Sequence, residues 1–368
     1  MIEDKDKYAI TGIGMINAVG RNAYQACASL RAGIARIVDI PYFSYRTDRL
    51  EMIPLSGCPI IGVTDGYLGL GRWTRLAVEA IKDLISNSAL TIQQLHHSAL
   101  FLGLPPLNRR GVDERINAML GQRIGQWSKL DGLEDRTTTF AEGHASVARG
   151  IAAAVQALKS RTIQHAIVGG VDSLVEPDTL SEFFENKRLL TEDNPEGFIP
   201  GEGAAFFVLE PLGQAIQRQA AIMATLEAPF TAEEPVTIRS DEPPSGSGLG
   251  LAVRGVFDQL ADQGARTGLI ICDLNGETYR AREFGHTAAR MLGNVKMDWR
   301  LWHPAEYMGD TGAAAFAVSV CVGARALQKG YAAADNILVF GASDDGLRGA
   351  VYLRAFSKDK PSEEQQWA

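Results

Sequence analysis

The chain has 368 residues, 46% of them hydrophobic and 22% charged, which is the mix of a globular protein and enough length for two core-bearing halves. Its formal net charge of −8 excludes a general affinity for nucleic acid, which needs clustered positive charge. Four cysteines (Cys27, Cys58, Cys272, Cys321) lie far apart, with neither zinc-ligand nor redox-motif spacing. Cys27, Cys272 and Cys321 sit in apolar runs, where cysteine acts as a small buried hydrophobe. No apolar run approaches the ~20 residues needed to span a bilayer. The opening MIEDKDKYAITGIG carries mixed charges and does not read as a secretory signal. A reduced, cytoplasmic protein without a membrane span or a metal cofactor is the expectation.

Strand-like and helical runs alternate, the pattern of an α/β protein. Tyr8–Ile13 is predicted as a strand, followed by a Gly-rich turn (Gly12, Gly14, Gly20) and an Ala-rich helix over about Asn22–Ala32. Trp73–Ile85 has apolar residues at helical spacing, and Ser98–Leu104 reads as a short apolar strand. An Ala-rich helix over Ser146–Ser160 leads into strand Gln164–Val168 and a turn at Gly169-Gly170. Ala204–Leu209 is a further buried strand, and Pro211–Gln219 reads as helical. Pro, Gly and Ser make Asp241–Gly250 the clearest loop. The same grammar then recurs, with helix Leu251–Gln263, strand Leu269–Leu274, helix Gly312–Leu327, strand Asn336–Phe340 and strand Gly349–Ala355. Residues beyond Ser357 read as a frayed polar tail.

Two Ala-rich helices thus each lead into a strand ending in Gly, Ser146–Ser160 into IVGG and Gly312–Leu327 into LVFG. This fits either reuse of a common motif or an internal duplication that sets the two helices back to back. Helices this rich in Ala and Gly suit the middle layer of a thick sandwich.

The segment Glu196–Glu210, EGFIPGEGAAFFVLE, matches the pattern DGF-x-x-GEGA followed by a strand ending in Leu-Glu. Ile10–Gly20 (ITGIGMINAVG) and His165–Asp172 (HAIVGGVD) fit the same frame, in the same order. In these features the chain resembles the β-ketoacyl-acyl-carrier-protein synthases, a thiolase-like family. The resemblance implies an α/β thiolase fold, a five-layer αβαβα sandwich of two pseudo-repeated halves, here 1–220 and 221–368, usually paired as a dimer.

Members of that family condense acyl and malonyl thioesters with a cysteine at the start of a buried central helix, where the helix dipole and free N–H groups favour the thiolate. Two histidines assist decarboxylation of the malonyl unit. All three positions differ here. The helix start reads TFAEGHAS, which puts Glu142 on the nucleophile. The first histidine loop, DLNGET, puts Asn275 on the histidine; the second, GDTGAA, puts Asp310 there. A lysine upstream of that loop falls near Ala305. Phe340 resembles the family's gating phenylalanine, but ASDD replaces the G-G-T-N that should follow it.

Several readings stay open for these residues. Glu142 could polarise a thioester-like ligand, or could be a carboxylate stabilised at a helix start by ~0.3–1 kcal/mol. His144 could be an acid–base group or could fill space. Asn275 and Asp310 are expected to meet Glu142, as a proton-transfer site or as a satisfied hydrogen-bond cluster. Gly201 and Gly203, flanking Glu202, read as packing glycines rather than a phosphate cradle, because no helix follows them. His286 and His303 are assigned to surface or packing positions, and His96-His97 to the surface.

The resemblance implies a synthase-like partner or regulatory subunit without condensing activity, acting in fatty-acid or polyketide-type synthesis. It would be a homodimer, or a heterodimer with an active synthase in a chain-length-factor arrangement, and could engage acyl carrier protein. The alternatives are a cysteine-independent malonyl- or acyl-thioester decarboxylase or acyltransferase, and an adaptor outside lipid metabolism, for example beside bacterial secretion machinery.

Overall fold

The computed structural model describes residues 7–88, 90–130, 132–260 and 265–357. Tyr8–Asn17 is one continuous buried strand, β1. It leads into helix α1 (Ala23–Arg31), whose N-cap Asn22 accepts the Gln25 amide through its side-chain oxygen at 2.9 Å. An antiparallel hairpin follows, β2 (Val38–Arg46) with β3 (Met52–Gly57). Then come helix α2 (Gly69–Asn87), the short helix α3 (Ile92–His96), strand β4 (Ala99–Gly103), helix α4 (Arg115–Ser128) and strand β5 (Thr137–Phe140). Helix α5 (Ser146–Lys159), strand β6 (Ala166–Ser173), helix α6 (Pro177–Glu185), strand β7 (Glu202–Pro211) and helix α7 (Leu212–Gln217) complete the first run.

The second run begins with strand β8 (Ala224–Glu233), helix α8 (Ser247–Gln259), strand β9 (Thr267–Cys272) and helix α9 (Thr278–Arg290). Strand β10 (Val295–Trp302), the single-turn helix α10 (Ala305–Met308), helix α11 (Ala315–Lys329), and strands β11 (Asn336–Ala342) and β12 (Leu347–Arg354) follow.

The large sheet has the order β10-β9-β11-β12-β8-β1-β7-β6-β4-β5. Outward from β1 the pairings are antiparallel, antiparallel, parallel, parallel; outward from β8 they are the same. Tyr8–Ile10 of β1 joins Ala224–Leu226 of β8 at the seam. Helix α5 touches strands on both sides of that seam, and so does α11, which requires the sheet to fold back around them. Helices α2 and α4 cover the outer face of the first segment, and α8 and α9 that of the second. The result is five layers, helix–sheet–helix–sheet–helix, with one apolar core around α5 and α11 and one under each outer layer.

Close backbone approach explains why several glycines interrupt strands without ending them. Gly169 and Gly170 lie inside β6, not in a turn: a Cβ on Gly170 would stand 2.3 Å from the Ala313 carbonyl oxygen, and one on Gly169 2.2 Å from that of Ala205. Gly12 and Gly14 likewise lie within β1 rather than after it, and a Cβ on Gly14 would stand 2.2 Å from the Ala80 oxygen. Helix α8 begins at Ser247, inside the stretch expected as a loop. The expected end of that helix, at 261–263, and the tail beyond Ser357 lie outside the described residues.

Candidate functional site

The two central helices begin alike. Each is preceded by a 3-10 turn, Gly143–Ala145 before α5 and Gly312–Ala314 before α11, and each turn opens on a glycine with positive φ (78° at Gly143, 53° at Gly312). Side chains are disfavoured there, so the two helix starts can enter the middle layer together.

His144, in the first turn, meets Asp310, just before the second. The imidazole Nε2 lies 2.8 Å from Asp310 Oδ1 and 3.0 Å from Oδ2. Asn275 Nδ2 donates to Asp310 Oδ2 at 2.7 Å, and the Gly312 amide donates to Oδ1 at 2.8 Å. The Asp310 backbone is held as well: its N–H donates to the Ile199 carbonyl, and its carbonyl accepts the Gly201 N–H. Burial alone would raise the Asp310 carboxyl, but the adjacent His144, Arg280 and Asn275 hold it well below the usual carboxylate range. Burial acts to lower His144, the Asp310 carboxylate to raise it and Arg280 to lower it; the net is a value above the ordinary imidazole one.

A ladder of buried ion pairs closes this centre on its outer side. Arg280 donates to Asp273 (2.8 Å), Asp344 (3.0 Å) and the Ala342 carbonyl (2.6 Å), and its Nη2 lies 3.4 Å from His144 Nδ1. Arg188 bridges Glu277 (2.7 Å) and Asp344 (2.6 Å). Asn275 also donates to Glu277 at 3.0 Å. Between its two arginines and His144, the Asp344 carboxyl is held well below its ordinary value, although burial opposes this. Arg188, Arg280, Asp273, Glu277 and Asp344 were not anticipated from the sequence. The one available signal was the charged ASDD replacing the expected neutral run. The gap beside His144 measures only about 10 Å³, and that beside Cys272 and Asp310 also about 10 Å³, neither exceeding a single water.

Glu142 does not join Asn275 and Asp310. Its carboxylate lies 2.9 Å from Arg149 Nε, and Arg149 also donates to Glu233 at 3.0 Å, so the side chain points away from the centre toward β8. Asn275 and Asp310 do meet, with His144 in the place expected for Glu142. Phe340 lies on β11, which touches the turn carrying His144, and its ring packs in the outer core under α8, 6.1 Å from that of Phe284. Cys27, Cys58, Cys272 and Cys321 are all buried free thiols, and burial pushes Cys27 and Cys58 up to about 12. Thiolate chemistry is disfavoured at each. His97 and His286 are exposed, while His96 and His303 are half-buried.

Gly201, Glu202 and Gly203 serve packing and charge. A Cβ on Gly201 would stand 2.4 Å from the Met308 oxygen, and one on Gly203 2.8 Å from that of Ile16. Glu202 is fully buried and takes Arg72 through both nitrogens (2.6 and 3.0 Å), Thr64 Oγ1 (2.6 Å), Ser173 Oγ (3.0 Å) and the Ile60 amide (2.7 Å). Glu176, which accepts the Gly69 amide at 3.1 Å, lies beside this pair; burial pushes its carboxyl up to about 7. Among the described residues no group of three or more His, Cys, Asp or Glu side chains is placed to hold a metal ion, and no helix is long and apolar enough to cross a membrane.

Residues 108–215, from the loop before α4 to α7, match the family model for the β-ketoacyl synthase N-terminal domain. The structure of the ishigamide ketosynthase/chain length factor superposes with a TM-score of 0.76 at 17% identity, covering 96% of this chain and 100% of that one. Residues 108–215 are thus similar in sequence to the ketosynthases, and the chain as a whole shares their thiolase-like fold. The ketosynthase from module 6 of the bacillaene synthase of Bacillus subtilis 168 superposes equally well, with a TM-score of 0.76 at 16% identity, over 96% of this chain and 72% of that one. A type II polyketide ketosynthase solved with its acyl-carrier protein (AntDE:AntF) gives 0.78 at 12% identity, over 96% and 100%. At these identities the likeness is one of fold. In sequence, the highly reducing polyketide synthase curS1 of Aspergillus terreus is 27% identical over 169 residues, 39% of this chain. The ketosynthase-like chain spans only 7% of the length of that relative.

Proposed function

We propose that this ketosynthase-like chain is a non-condensing subunit that pairs with an active synthase or with a second copy of itself in polyketide- or fatty-acid-type acyl chain synthesis. One observation carries the reading: the centre between the two helix starts is filled by His144, Asp310 and Asn275, with no thiol among them and a gap of only about 10 Å³ beside His144. The side chains that would have to open it, Arg188 and Arg280, are each tied to at least two carboxylates. The two repeated halves would be 1–220 and 221–368, and the cluster would lie at their junction.

Pairing would use the outer edge of β5, whose residues Thr137–Phe140 bond β4 on one side only. An unpaired edge presents N–H and C=O groups that a second strand can satisfy. The structures of similar fold include a ketosynthase/chain length factor and a ketosynthase held with a carrier protein. Those arrangements support the choice of partner class.

The test is incubation of the purified chain, alone and with a co-expressed synthase, with acyl- and malonyl-carrier protein. We expect no acyl adduct by intact-mass spectrometry, no condensation by the chain alone, and co-purification with the synthase or a homodimer. An acyl-enzyme on this chain would overturn the proposal. A second reading rests on the His144–Asp310 pair, which could move a proton in a cysteine-independent thioester decarboxylase. It requires carbon dioxide release from malonyl-carrier protein that Asp310→Asn abolishes.

A further inference from the structure

Besides a space of about 550 Å³ lined by Arg188 and Glu277 of the ion-pair ladder, open space lies at the ends of α1 and α11, where none of the residues of the ladder or of the His144 centre takes part. Two adjoining concavities of about 510 and 540 Å³ meet at Cys27, Arg31, Ala32 and Tyr331, between the ends of α1 and α11 and the end of β10. Their walls divide by chemistry. In the first, Trp302 and Tyr331 present near-parallel rings, 22° apart with centroids 6.3 Å apart, over an apolar floor of Leu30, Leu301 and Val322. In the second, the charged lining groups are Arg31, Arg325 and Lys329, with no carboxylate among its lining residues. Arg31 stacks over the Tyr331 ring at 4.9 Å and Arg325 over Tyr24 at 4.0 Å, so aromatic faces hold both guanidiniums in place.

Helix ends account for part of this. Arg31 and Lys329 stand in the last turns of α1 and α11, where cations offset the carbonyl ends. That leaves the concavity and the paired rings, together with Arg325, which bonds Gln328 at 2.6 Å but meets no carboxylate in the lining. Neither Arg31 nor Lys329 has a carboxylate partner among the described residues, in a chain whose net charge is −8. Glu306 lines the first lobe but is paired with His303 at 3.2 Å, so the three cations of the second lobe meet no acid in its own lining. Such a group favours an anion with more than one charge, and guanidiniums suit phosphate oxygens in pairs. A flat apolar wall beside them favours a ring. The combined volume is that of a small-ligand site.

We propose that this two-lobed cleft binds a nucleoside phosphate, with the base on Trp302 and Tyr331 and the phosphates at Arg31, Arg325 and Lys329. The proposal is independent of whether the chain condenses.

The test uses the full chain with ADP and GDP as probes, followed by calorimetry and by quenching of tryptophan fluorescence. Adenosine and inorganic pyrophosphate, each carrying half of the ligand, serve as controls. We expect nucleotide binding that weakens with salt. Each half-ligand, Arg31→Gln and Arg325→Gln should each bind about tenfold more weakly, the loss of one charge-assisted hydrogen-bond set. Trp302→Leu should remove most of the quenching. Arg31 is exposed, so its replacement should leave the fold intact, and circular dichroism checks this. Absence of heat and quenching with both nucleotides at about 1 mM overturns the proposal. So does nucleotide binding that neither arginine substitution changes, or pyrophosphate binding as tight as ADP, which would leave an anion site without a base site.

Discussion

His144 and Asp310 lie 166 residues apart in the chain and 2.8 Å apart in the fold, each at the start of one of the two central helices. Their contact joins the first run of elements to the second, under a roof of arginines, and it organises the buried polar centre. Removing one member of a buried pair leaves the other uncompensated. Asp310→Ala should therefore lower unfolding stability by about 3–5 kcal/mol, read from urea midpoints. The double variant His144→Leu/Asp310→Leu should recover much of that loss, because no isolated charge remains. A single Asp310→Ala that unfolds like the parent would mean the pair is not formed in solution.

The same pair sets an alkaline limb of stability. The folded His144 value is raised, so its contribution is full below the unfolded imidazole value of about 6.5 and is lost as pH rises through the folded value. Asp310 is depressed, so its contribution is present above the unfolded carboxyl value of about 3.9 and lost as pH falls through the folded one. Urea midpoints should accordingly decline above about pH 6.5, and His144→Gln should flatten that decline.

Glu176 gives an opposite kind of signal for a carboxylate. Its folded value of about 7 exceeds the unfolded one, so the folded state holds the proton longer and stability falls as pH rises between the two. Glu176→Gln should be close to neutral at pH 4 and stabilising at pH 8, about the two ends of that window. A variant equally stable relative to parent at both pH values would place the carboxylate in water.

Glycine substitutions should separate close packing from mere presence in a helix. Gly170→Ala would put a Cβ 2.3 Å from the Ala313 oxygen, forcing the start of α11 away from β6. The expected cost is at least about 1–3 kcal/mol. Gly285, in α9, has nothing within 4 Å of its would-be Cβ, and Gly285→Ala should stabilise by about 0.5–1 kcal/mol. Thermal midpoints of the two variants should move in opposite directions.

Glu142 should prove energetically quiet. It forms a half-exposed pair with Arg149, so Glu142→Ala should change stability by less than about 1 kcal/mol. Glu142→Cys should likewise yield no acyl adduct by mass spectrometry, because the side chain at this position faces Arg149 rather than the His144 centre.

The sequence carried the architecture further than the site. Ala-rich helices leading into Gly-bearing strands announced the two central helices, because close helix packing needs small side chains at many positions. Glu142 was placed wrongly for a geometric reason. Gly143, with a φ of 78°, turns the chain between the two residues, and His144 meets Asp310 while Glu142 meets Arg149. Asn275 and Asp310 were legible because each stands in a recognisable loop frame. Arg188 and Arg280 were not, since their carboxylate partner Asp344 lies 156 and 64 residues away and no spacing rule connects them. The glycines of β1 and β6 misled in the other direction. A glycine read alone signals a turn, and only the neighbouring backbone reveals that it marks a contact.

The seam between the runs has one more implication. His144 and Arg188 come from the first run, and the acids that receive them, Asp310, Glu277 and Asp344, all come from the second. Cut at the link before β8, the first piece would keep His144 and Arg188 without these acids, and the second would keep Asp310, Glu277 and Asp344 with Arg280 but without those two cations. The pieces should aggregate or stay unfolded when expressed separately, yet find each other when mixed. The two runs are thereby made indivisible, because the acids of the second receive the cations of the first.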